Sequence, residues 1–224
     1  MLTRVVVRAR RAQTIGRVIV ATTWDASDDP VAAYCWSQGF PVYRGDPQDV
    51  LDRYYQAARL FEAETVVRLT GDCPLIDPRE IDRTVLAFQG NAVEFAANRL
   101  PPPWERTTPI GMDTEVVTFQ ALAKAWREAD HKYQREHVMP YFYEEAGRFE
   151  VLLVDHEPDL GHLRLTVDTP EDLALVRKIY GHFGNTDSFS LKEIIDLLER
   201  HPSWQAINAS VSHKGYLDVD QRQG

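Results

Sequence analysis

One seven-residue pattern occurs twice in the chain and constrains the fold more than any other feature. Residues 68–74 read RLTGDCP and residues 164–170 read RLTVDTP, so both copies match RLT-x-D-x-P, 96 positions apart. Each copy ends a short apolar run and precedes the start of a helix. The pattern predicts two strands of an open α/β sheet, in which ligands bind just beyond the carboxyl ends of the strands. We therefore expect Asp72 and Asp168 to lie in one crevice.

The residues alone leave two interpretations of these carboxylates open. Mg²⁺ takes oxygen ligands and usually accepts only one or two of them from protein, so Asp72 and Asp168 are candidate ligands of a magnesium ion that carries phosphates. This interpretation predicts a phosphate-handling enzyme. Alternatively, each Asp is a helix N-cap or a turn residue, which is common for Asp close to Pro.

Composition limits the classes of protein to which the chain can belong. With 224 residues, 44% of them hydrophobic, it can bury a full core as one domain, or as one domain with an appendage. A formal net charge of -9 and a pI near 5.3 argue against a nucleic-acid groove, which needs clustered Lys and Arg. No apolar stretch approaches the length of a membrane span, and no apolar core of a signal peptide follows the basic residues near the start.

Cysteine usage indicates the compartment. Cys35 and Cys73 lack metal-binding spacing and do not form a disulfide framework, which fits a reducing environment. Both are expected to be small buried residues. We therefore expect a cytoplasmic protein with neither nucleic acid nor membrane as a partner.

Short β-branched runs alternate with segments of helical periodicity, which predicts an α/β fold with a mostly parallel sheet flanked by helices. Three prolines at residues 101–103 force an extended connection, which we expect to lie over a pocket. Strands are predicted over residues 17–23, 40–43, 65–69, 93–97, 113–117, 149–154 and 163–167. Helices are predicted over residues 29–37, 49–64, 78–88, 119–130, 135–146, 170–182 and 191–200, with Thr169 and Ser190 as N-caps.

Several strings in a fixed order carry a resemblance to a known family. They are IVATT (19–23), YRG (43–45), DVLDRYY (49–55), RLTGDCPLIDP (68–78), REHV with PY (135–138 and 140–141) and HLRLTVDTPEDL (162–173). Together they resemble the cytidylyltransferase-like proteins of the spore-coat polysaccharide biosynthesis protein F group. That group is similar to acylneuraminate and 3-deoxy-manno-octulosonate cytidylyltransferases, and the resemblance extends to about Ser212.

The resemblance implies a Rossmann-like nucleotidyltransferase fold that transfers CMP from CTP to a sugar hydroxyl and releases pyrophosphate. Mg²⁺ would be held by Asp72 and Asp168, which would also be the catalytic residues. The nucleotide-binding residues would be Thr22, Thr23, Asp25, Asp49, Arg53 and Asp72. Two of these have a plain structural alternative, since Asp25 is a candidate N-cap and Arg53 can pair with Asp49 one helical turn away.

The sugar side rests on the same resemblance, and the candidates are Asp113, Arg135, His137 and Tyr141. A single His is commonly structural, so His137 keeps that alternative. The family usually reads Asp-Gly-Leu-Asp where this chain reads Pro-Ile-Gly-Met-Asp at 109–113, and this departure leaves the identity of the acidic or modified sugar open.

The expected organisation is a nucleotidyltransferase-like domain over residues 1–183, followed by a C-terminal helix and tail over 184–224. Within the domain, residues 91–146 form an insertion that binds substrate and supplies the contact of a homodimer. The tail from residue 206 is expected to be mobile or to pack on a partner. Two other functions stay open: a non-catalytic relative that binds a sugar nucleotide or a partner enzyme, and a glycosyltransferase of related fold.

The beginning of the chain departs from the family pattern. The family starts with a strand and a Gly-rich, basic, phosphate-binding loop, whereas the first residues here align with the middle of the helix that follows. We therefore expect a fold without its first strand and an impaired transfer activity. Three explanations stay open: a start that lies upstream, a degenerate relative, and a gap filled by a strand from another subunit.

Overall fold

The computed structural model describes residues 1–211. Its strands are β1 (Val20–Thr23), β2 (Val42–Gly45), β3 (Thr65–Arg68), β4 (Phe95–Ala97), β5 (Glu115–Thr118) and β6 (Val151–Leu153). Its helices are α1 (Leu2–Ala9), α2 (Asp29–Ser37), α3 (Val50–Leu60), α4 (Pro78–Gln89), α5 (Phe119–Glu128), α6 (Lys132–His137), α7 (Pro140–Tyr143), α8 (Pro170–His182), α9 (Leu191–Arg200) and α10 (Pro202–Gln205). A 3₁₀ turn over Ala26–Asp28 precedes α2.

The described strands form two sheets. β1 and β2 pair in parallel, with Val20 opposite Val42. The other sheet has the order β3-β5-β4-β6, and β5 is its reversed strand because it pairs antiparallel with both β3 and β4. β4 and β6 are parallel. The predicted α/β nucleotidyltransferase-like fold is confirmed, with mixed pairing around β5.

Two predicted elements were wrong. Residues 163–167 form no regular strand in the described structure, and an isolated bridge between Ile110 and Arg164 takes its place. The predicted helix over 135–146 is instead broken between α6 and α7. The break follows from Pro140, which has no backbone N–H for a continuing helix, and from Val138, whose φ of 68° is outside the helical region.

The main core lies where helices pack against Ala96 of β4 and Val116 of β5, with Val67 of β3 partly buried beside it. Apolar residues of α1, α4, α8 and α9 meet there, including Val5, Val85, Val176 and Ile194. A second core forms where α3, α5 and α7 pack against β4 and β5. α9 shares the core of α8, so this helix is packed against the preceding part of the chain. The predicted domain boundaries stay predictions.

A buried arginine ties α1 to the C-terminal segment. The side chain of Arg8 is fully buried and donates to the carbonyl oxygens of Ile76 at 2.7 Å, Phe189 at 3.0 Å and Asp187 at 3.1 Å. Burial lowers the pKa of this guanidinium, which keeps its charge because the ordinary value is so high.

Two further expectations concern membrane-spanning helices and the C-terminal tail. None of the helices within residues 1–211 has the length and apolarity needed to cross a membrane. The prediction for the tail from residue 206 falls mostly on residues 212–224, which lie outside the described residues.

Candidate active site

The loop after β3 and the segment before α8 lie side by side, and each carries one copy of the RLT-x-D-x-P pattern. The backbone N–H of Val167 donates to the carbonyl oxygen of Asp72 at 2.9 Å, and the hydroxyl of Thr166 donates to the same oxygen at 3.1 Å. The segments that carry Asp72 and Asp168 are therefore hydrogen-bonded neighbours in the fold.

Neither aspartate caps the helix that follows it. The N-cap of α4 is Asp77, whose side chain accepts the N–H of Arg79. The N-cap of α8 is Thr169, whose side chain accepts the N–H of Asp172 in a capping box. The interpretation of Asp72 and Asp168 as N-caps was therefore wrong. The other half of that alternative holds for Asp72, which lies in a turn, while Asp168 lies in a bend.

The two carboxylates have different surroundings. The side chain of Asp168 is 47% exposed and accepts a hydrogen bond from Arg164 at 2.6 Å. Asp72 is half-buried and accepts from the thiol of Cys73 at 3.3 Å. Burial, with the charge of Asp72, raises the pKa of Cys73, so this thiol stays protonated and acts as a donor. Each carboxylate is thus oriented by a neighbouring donor.

The donor chemistry fits Mg²⁺. Two carboxylates are hard oxygen donors, and the protonated Cys73 is unsuited to metal binding. Among residues 1–211 there is no group of three or more His, Cys, Asp or Glu side chains placed to hold a metal. A magnesium ion held by Asp72 and Asp168 would take its other ligands from phosphate and water, as this ion commonly does.

A second polar group lies at the carboxyl end of β1. The carboxylate of Asp28 accepts the hydroxyls of Thr22 and Thr23, each at 2.7 Å, and the N–H of Thr23 at 2.9 Å. Burial alone would raise the pKa of Asp28, but these hydrogen bonds outweigh it and lower the value. Sequence reasoning missed Asp28. Asp25, Asp28 and Asp29 lie close together, Asp46 follows later in the chain, and no spacing distinguishes one of these four aspartates from the others.

Asp25 is the N-cap of the 3₁₀ turn that precedes α2. Its carboxylate accepts the N–H of Ser27 at 2.8 Å, and this backbone hydrogen bond lowers its pKa. The structural alternative for Asp25 is confirmed, and its nucleotide-binding role stays a prediction.

Asp49, a predicted nucleotide-binding residue, and Arg135, a predicted sugar-binding residue, form an ion pair with each other. The Nε of Arg135 donates to the two carboxylate oxygens of Asp49 at 3.1 and 3.0 Å, and Arg135 also donates to the carbonyl oxygen of Trp126 at 2.7 Å. Asp49 is at the same time the N-cap of α3, accepting the N–H of Asp52. This arrangement joins α3, α5 and α6, so both side chains already have structural partners.

Arg53 does not make the predicted pair with Asp49. It donates instead to the carbonyl oxygen of Asp46, and its stem packs against Gly45, where an added Cβ would lie 2.8 Å from the Cγ of Arg53. Its Nε is buried and has no hydrogen-bond partner among the described residues. Burial lowers the pKa of Arg53, which remains a cation at the carboxyl end of β2. Among the predicted nucleotide-binding residues, Arg53 therefore has a buried N–H donor, at Nε, that is free for a ligand.

Asp113 on the predicted sugar side is held by an arginine that sequence reasoning missed. Arg106 donates to its two carboxylate oxygens at 2.6 and 3.0 Å. The segment is fixed by Gly111, whose φ is 100° and whose missing Cβ would lie 2.6 Å from the carbonyl carbon of Leu165. Arg106 follows the triple proline closely, and no local pattern links it to Asp113.

His137 and Tyr141 differ in how their polar atoms are used. The Nε2 of His137 is buried without a hydrogen-bond partner among residues 1–211, and burial lowers the pKa of its ring. Tyr141 is buried in the second core and donates its hydroxyl to Glu128 at 2.7 Å. His137 thus has an unsatisfied nitrogen for a ligand, whereas the hydroxyl of Tyr141 is already engaged.

The structure divides the predicted site residues into two groups. Thr22, Thr23 and Arg53 lie on the β1–β2 side of the fold, whereas Asp72 and Asp168 lie beyond β3. One arginine accompanies each group: Arg53 lies on the β1–β2 side, and Arg164 is paired with Asp168 and Asp172.

Known proteins share this architecture. A cytidylyltransferase from Leptospira borgpetersenii has a solved structure that superposes with a TM-score of 0.85 at 32% identity, covering 95% of this chain and 87% of that one. Spore coat polysaccharide biosynthesis protein SpsF of Bacillus subtilis is 30% identical over 190 residues, which is 83% of this chain and 75% of the relative. The 3-deoxy-manno-octulosonate cytidylyltransferase of Anaeromyxobacter sp. (strain K) is 29% identical over 216 residues, covering 80% of this chain and 86% of that enzyme.

The family profile described as cytidylyltransferase matches residues 1–206, which include both RLT-x-D-x-P copies, the Asp49–Arg135 pair and all the polar groups described above. The chain belongs to the cytidylyltransferase family.

Proposed function

We propose that the chain transfers CMP from CTP to a hydroxyl of an acidic or modified sugar used in surface polysaccharides. The sugar oxygen forms a bond to the α-phosphorus of CTP, the bond from that phosphorus to the bridging β-phosphate oxygen breaks, and pyrophosphate leaves. The hydroxyl proton passes to solvent. Family membership supports the use of CTP, and the names of two relatives support a sugar acceptor.

The hydrogen bond between Val167 and Asp72 is the observation that carries this proposal. It holds the two aspartate-bearing segments together, so that Asp72 and Asp168 can hold one Mg²⁺ with the triphosphate. Arg164 keeps Asp168 oriented, and the thiol of Cys73 does the same for Asp72. When bound, Mg²⁺ offsets the negative charge that builds on the phosphate oxygens as pyrophosphate departs.

On the sugar side, we propose that Asp113 and the unpaired Nε2 of His137 bind acceptor groups. Arg106 fixes the carboxylate of Asp113, which leaves acceptor lone pairs for sugar hydroxyls. His137 is neutral near pH 7, because burial lowers its pKa, and its free nitrogen then accepts or donates one hydrogen bond.

Compartment and assembly are part of the same proposal. Both cysteines are free and buried, which fits the reducing cytoplasm. We propose a homodimer formed through residues 91–146, a segment that includes the exposed Trp104. Light scattering on the purified protein gives its mass in solution, and a monomer at all concentrations would contradict the dimer.

The test is pyrophosphate release from CTP and Mg²⁺ with a panel of acidic sugars. It is run on the 224-residue chain and on its variants at equal protein concentration. We expect Asp72→Asn and Asp168→Asn each to lower the rate by about 10²–10³-fold, as loss of a group that stabilises transition-state charge does. Asp196→Asn, an exposed carboxylate on α9 paired with Lys192, is the matched control and should keep the rate.

Calorimetric titration with CTP separates catalysis from binding. If the chain is folded and binds CTP but releases no pyrophosphate with any sugar, it is a nucleotide-binding relative and transfer is ruled out. A rate that Asp72→Asn and Asp168→Asn both leave unchanged would rule out the two-carboxylate site.

A further inference from the structure

Arg99 is held in place by a buried residue on each side of it. The buried Asn98 donates from its backbone N–H to the carbonyl oxygen of Thr114 at 3.2 Å, and from its side chain to the carbonyl oxygen of Met112 at 2.8 Å. Its side-chain oxygen accepts the N–H of Thr114 at 2.8 Å. On the other side, Leu100 is buried in the second core. The backbone of Arg99 is therefore fixed at the carboxyl end of β4, beside the segment that leads into β5.

That segment carries two carboxylates, and each is matched by an arginine. Asp113 accepts hydrogen bonds from Arg106 at 2.6 and 3.0 Å. Glu115, at the start of β5, forms an ion pair with Arg68 of β3. The last residue of β4, Ala97, lies directly opposite Glu115, so the end of β4 belongs to the same row. The charges that face each other across this edge of the sheet are thus balanced before Arg99 is counted.

Arg99 itself has no such partner. Its side chain is half-buried, yet within residues 1–211 its guanidinium makes no hydrogen bond, ion pair or ring contact. Every other arginine of this part of the chain that is not exposed donates at least one hydrogen bond. A partly desolvated cation attracts an anion more strongly than a cation on the open surface does. Arg99 therefore leaves one unmatched positive charge at this edge.

Two buried nitrogen atoms in the same region are also unused. The Nε of Arg68 and the Nε2 of His137 have no hydrogen-bond partner in the described part of the chain. Burial lowers the pKa of His137, and the charge of Arg68 acts in the same direction, so these two side chains lie near each other. Buried polar atoms without a partner are unfavourable unless a bound group completes them. Together with the unmatched cation, they indicate a ligand that is anionic and also carries hydrogen-bonding oxygens.

A carboxylate fits this arrangement better than a phosphate. One guanidinium balances the single charge of a carboxylate and presents parallel N–H groups to its two oxygens. A phosphate monoester carries roughly 1.5–2 negative charges at pH 7. It would meet repulsion from Asp113 and Glu115 without a second free cation to offset it.

We propose that Arg99 binds the carboxylate of the acceptor sugar and thereby selects an acidic sugar over a neutral one. This inference rests on the proposed function, which makes the sugar the acceptor of CMP. Asp113 and His137 then meet hydroxyl groups of the same sugar. Because Arg99 contacts the sugar alone, it sets the affinity for the sugar and leaves the affinity for CTP unchanged.

Titration calorimetry on the full 224-residue chain measures this selectivity without turnover, with CMP present to fill the nucleotide site. The probes are 3-deoxy-manno-octulosonate and the other acidic sugars of the panel, each beside its methyl ester, which keeps the hydroxyls and removes the charge. We expect an acid to bind about 10–100-fold more tightly than its ester, as a charge-assisted hydrogen bond allows. Arg99→Gln should abolish this preference, and Arg99→Lys should keep part of it, because lysine retains the charge but not the planar fork.

Arg127→Gln is the matched control, since Arg127 is an exposed arginine in the last turn of α5. It should keep the preference for the acid. Arg99 bonds to no group within residues 1–211, so Arg99→Gln should unfold at the same urea concentration as the wild type. Unchanged unfolding and unchanged CTP affinity separate a role in binding the sugar from a structural role.

Equal affinity of the wild type and Arg99→Gln for the acid would overturn the proposal. It would also be overturned by equal losses for acid and ester, by weaker binding of CTP alone, or by a folded wild type that binds no acidic sugar. A charge preference that disappears in Arg99→Gln, in a wild type that releases no pyrophosphate, leaves the assignment of Arg99 standing and counts against CMP transfer alone.

Discussion

The guanidinium of Arg164 binds the fully buried carboxylate of Asp172 through two hydrogen bonds of 2.8 and 2.7 Å. Asn208 donates to the same carboxylate at 2.8 Å, and the backbone N–H of Asp168 donates to it at 3.0 Å. Arg164 also reaches the side chain of Asp168 at 2.6 Å. A buried ion pair therefore sets the position of the more exposed of the two candidate magnesium ligands.

Removing the buried carboxylate should destabilise the protein strongly. We expect Asp172→Ala to lower the free energy of unfolding by about 3–5 kcal/mol, because it leaves Arg164 buried without its partner. Urea unfolding measures the change, and Asp196→Ala on the exposed face of α9 is the control, with an expected change within about 0.5 kcal/mol. If Asp172→Ala does not fold, Asp172→Asn gives the same sign, and a loss below 1 kcal/mol in either would contradict the role of the pair.

The same pair predicts how stability depends on pH in acid. Burial alone would raise the pKa of Asp172, but hydrogen bonds from Arg164 and Asn208 outweigh it and lower the value to about 2. The folded pKa lies below the unfolded value near 3.9, so the stabilisation is complete above about pH 4 and is lost as the pH falls toward 2. The difference in unfolding free energy between wild type and Asp172→Asn should therefore shrink between pH 5 and pH 2.5, as followed by urea titrations. A constant difference would contradict the lowered pKa.

Local chemistry made some of this structure predictable from sequence. The capping boxes at Thr169 and Ser190 begin α8 and α9 where expected, because each cap and its partner lie three residues apart. Asp28, Arg106 and the pairing of Asp49 with Arg135 were not predictable. Their partners come together only when separate elements pack, and no spacing in the sequence records that contact.

Two glycines should respond to alanine in opposite directions. At Gly111 the φ of 100° and the 2.6 Å approach of a Cβ to Leu165 make Gly111→Ala strained, at a cost of about 1–3 kcal/mol. Gly181 lies within α8 and has nothing within 4 Å of an added Cβ, so Gly181→Ala should stabilise by about 0.5–1 kcal/mol. Thermal unfolding of both variants checks whether stability falls in Gly111→Ala and rises in Gly181→Ala. If Gly111→Ala left the stability unchanged, the backbone at Gly111 would not be in close contact with Leu165.

The Asp49–Arg135 pair predicts a coupling between two helices. Both side chains are mostly buried, at 25% and 20% exposure, so we expect the double-mutant cycle of Asp49→Asn and Arg135→Met to give a coupling of about 1–3 kcal/mol in unfolding. The KM values for CTP and sugar, measured on the same variants, separate a structural role from a ligand role. A coupling near zero, together with KM changes for Arg135→Met alone, would assign Arg135 to the substrate instead.

His137 should make the protein less stable as the pH falls through the mildly acidic range. Burial lowers its pKa, with the charge of Arg68 acting in the same direction against Glu136 and Glu115. The unfolded chain, with a pKa near 6.5, therefore takes up the proton first, and stability is lost as the pH drops below that value. In His137→Gln this titration is absent, so the wild type should lose stability relative to the variant between pH 7.5 and pH 5.5 in urea unfolding. The exposed His162→Gln serves as the control for general effects of pH, and an NMR titration that put the pKa of His137 at or above 6.5 would contradict the prediction.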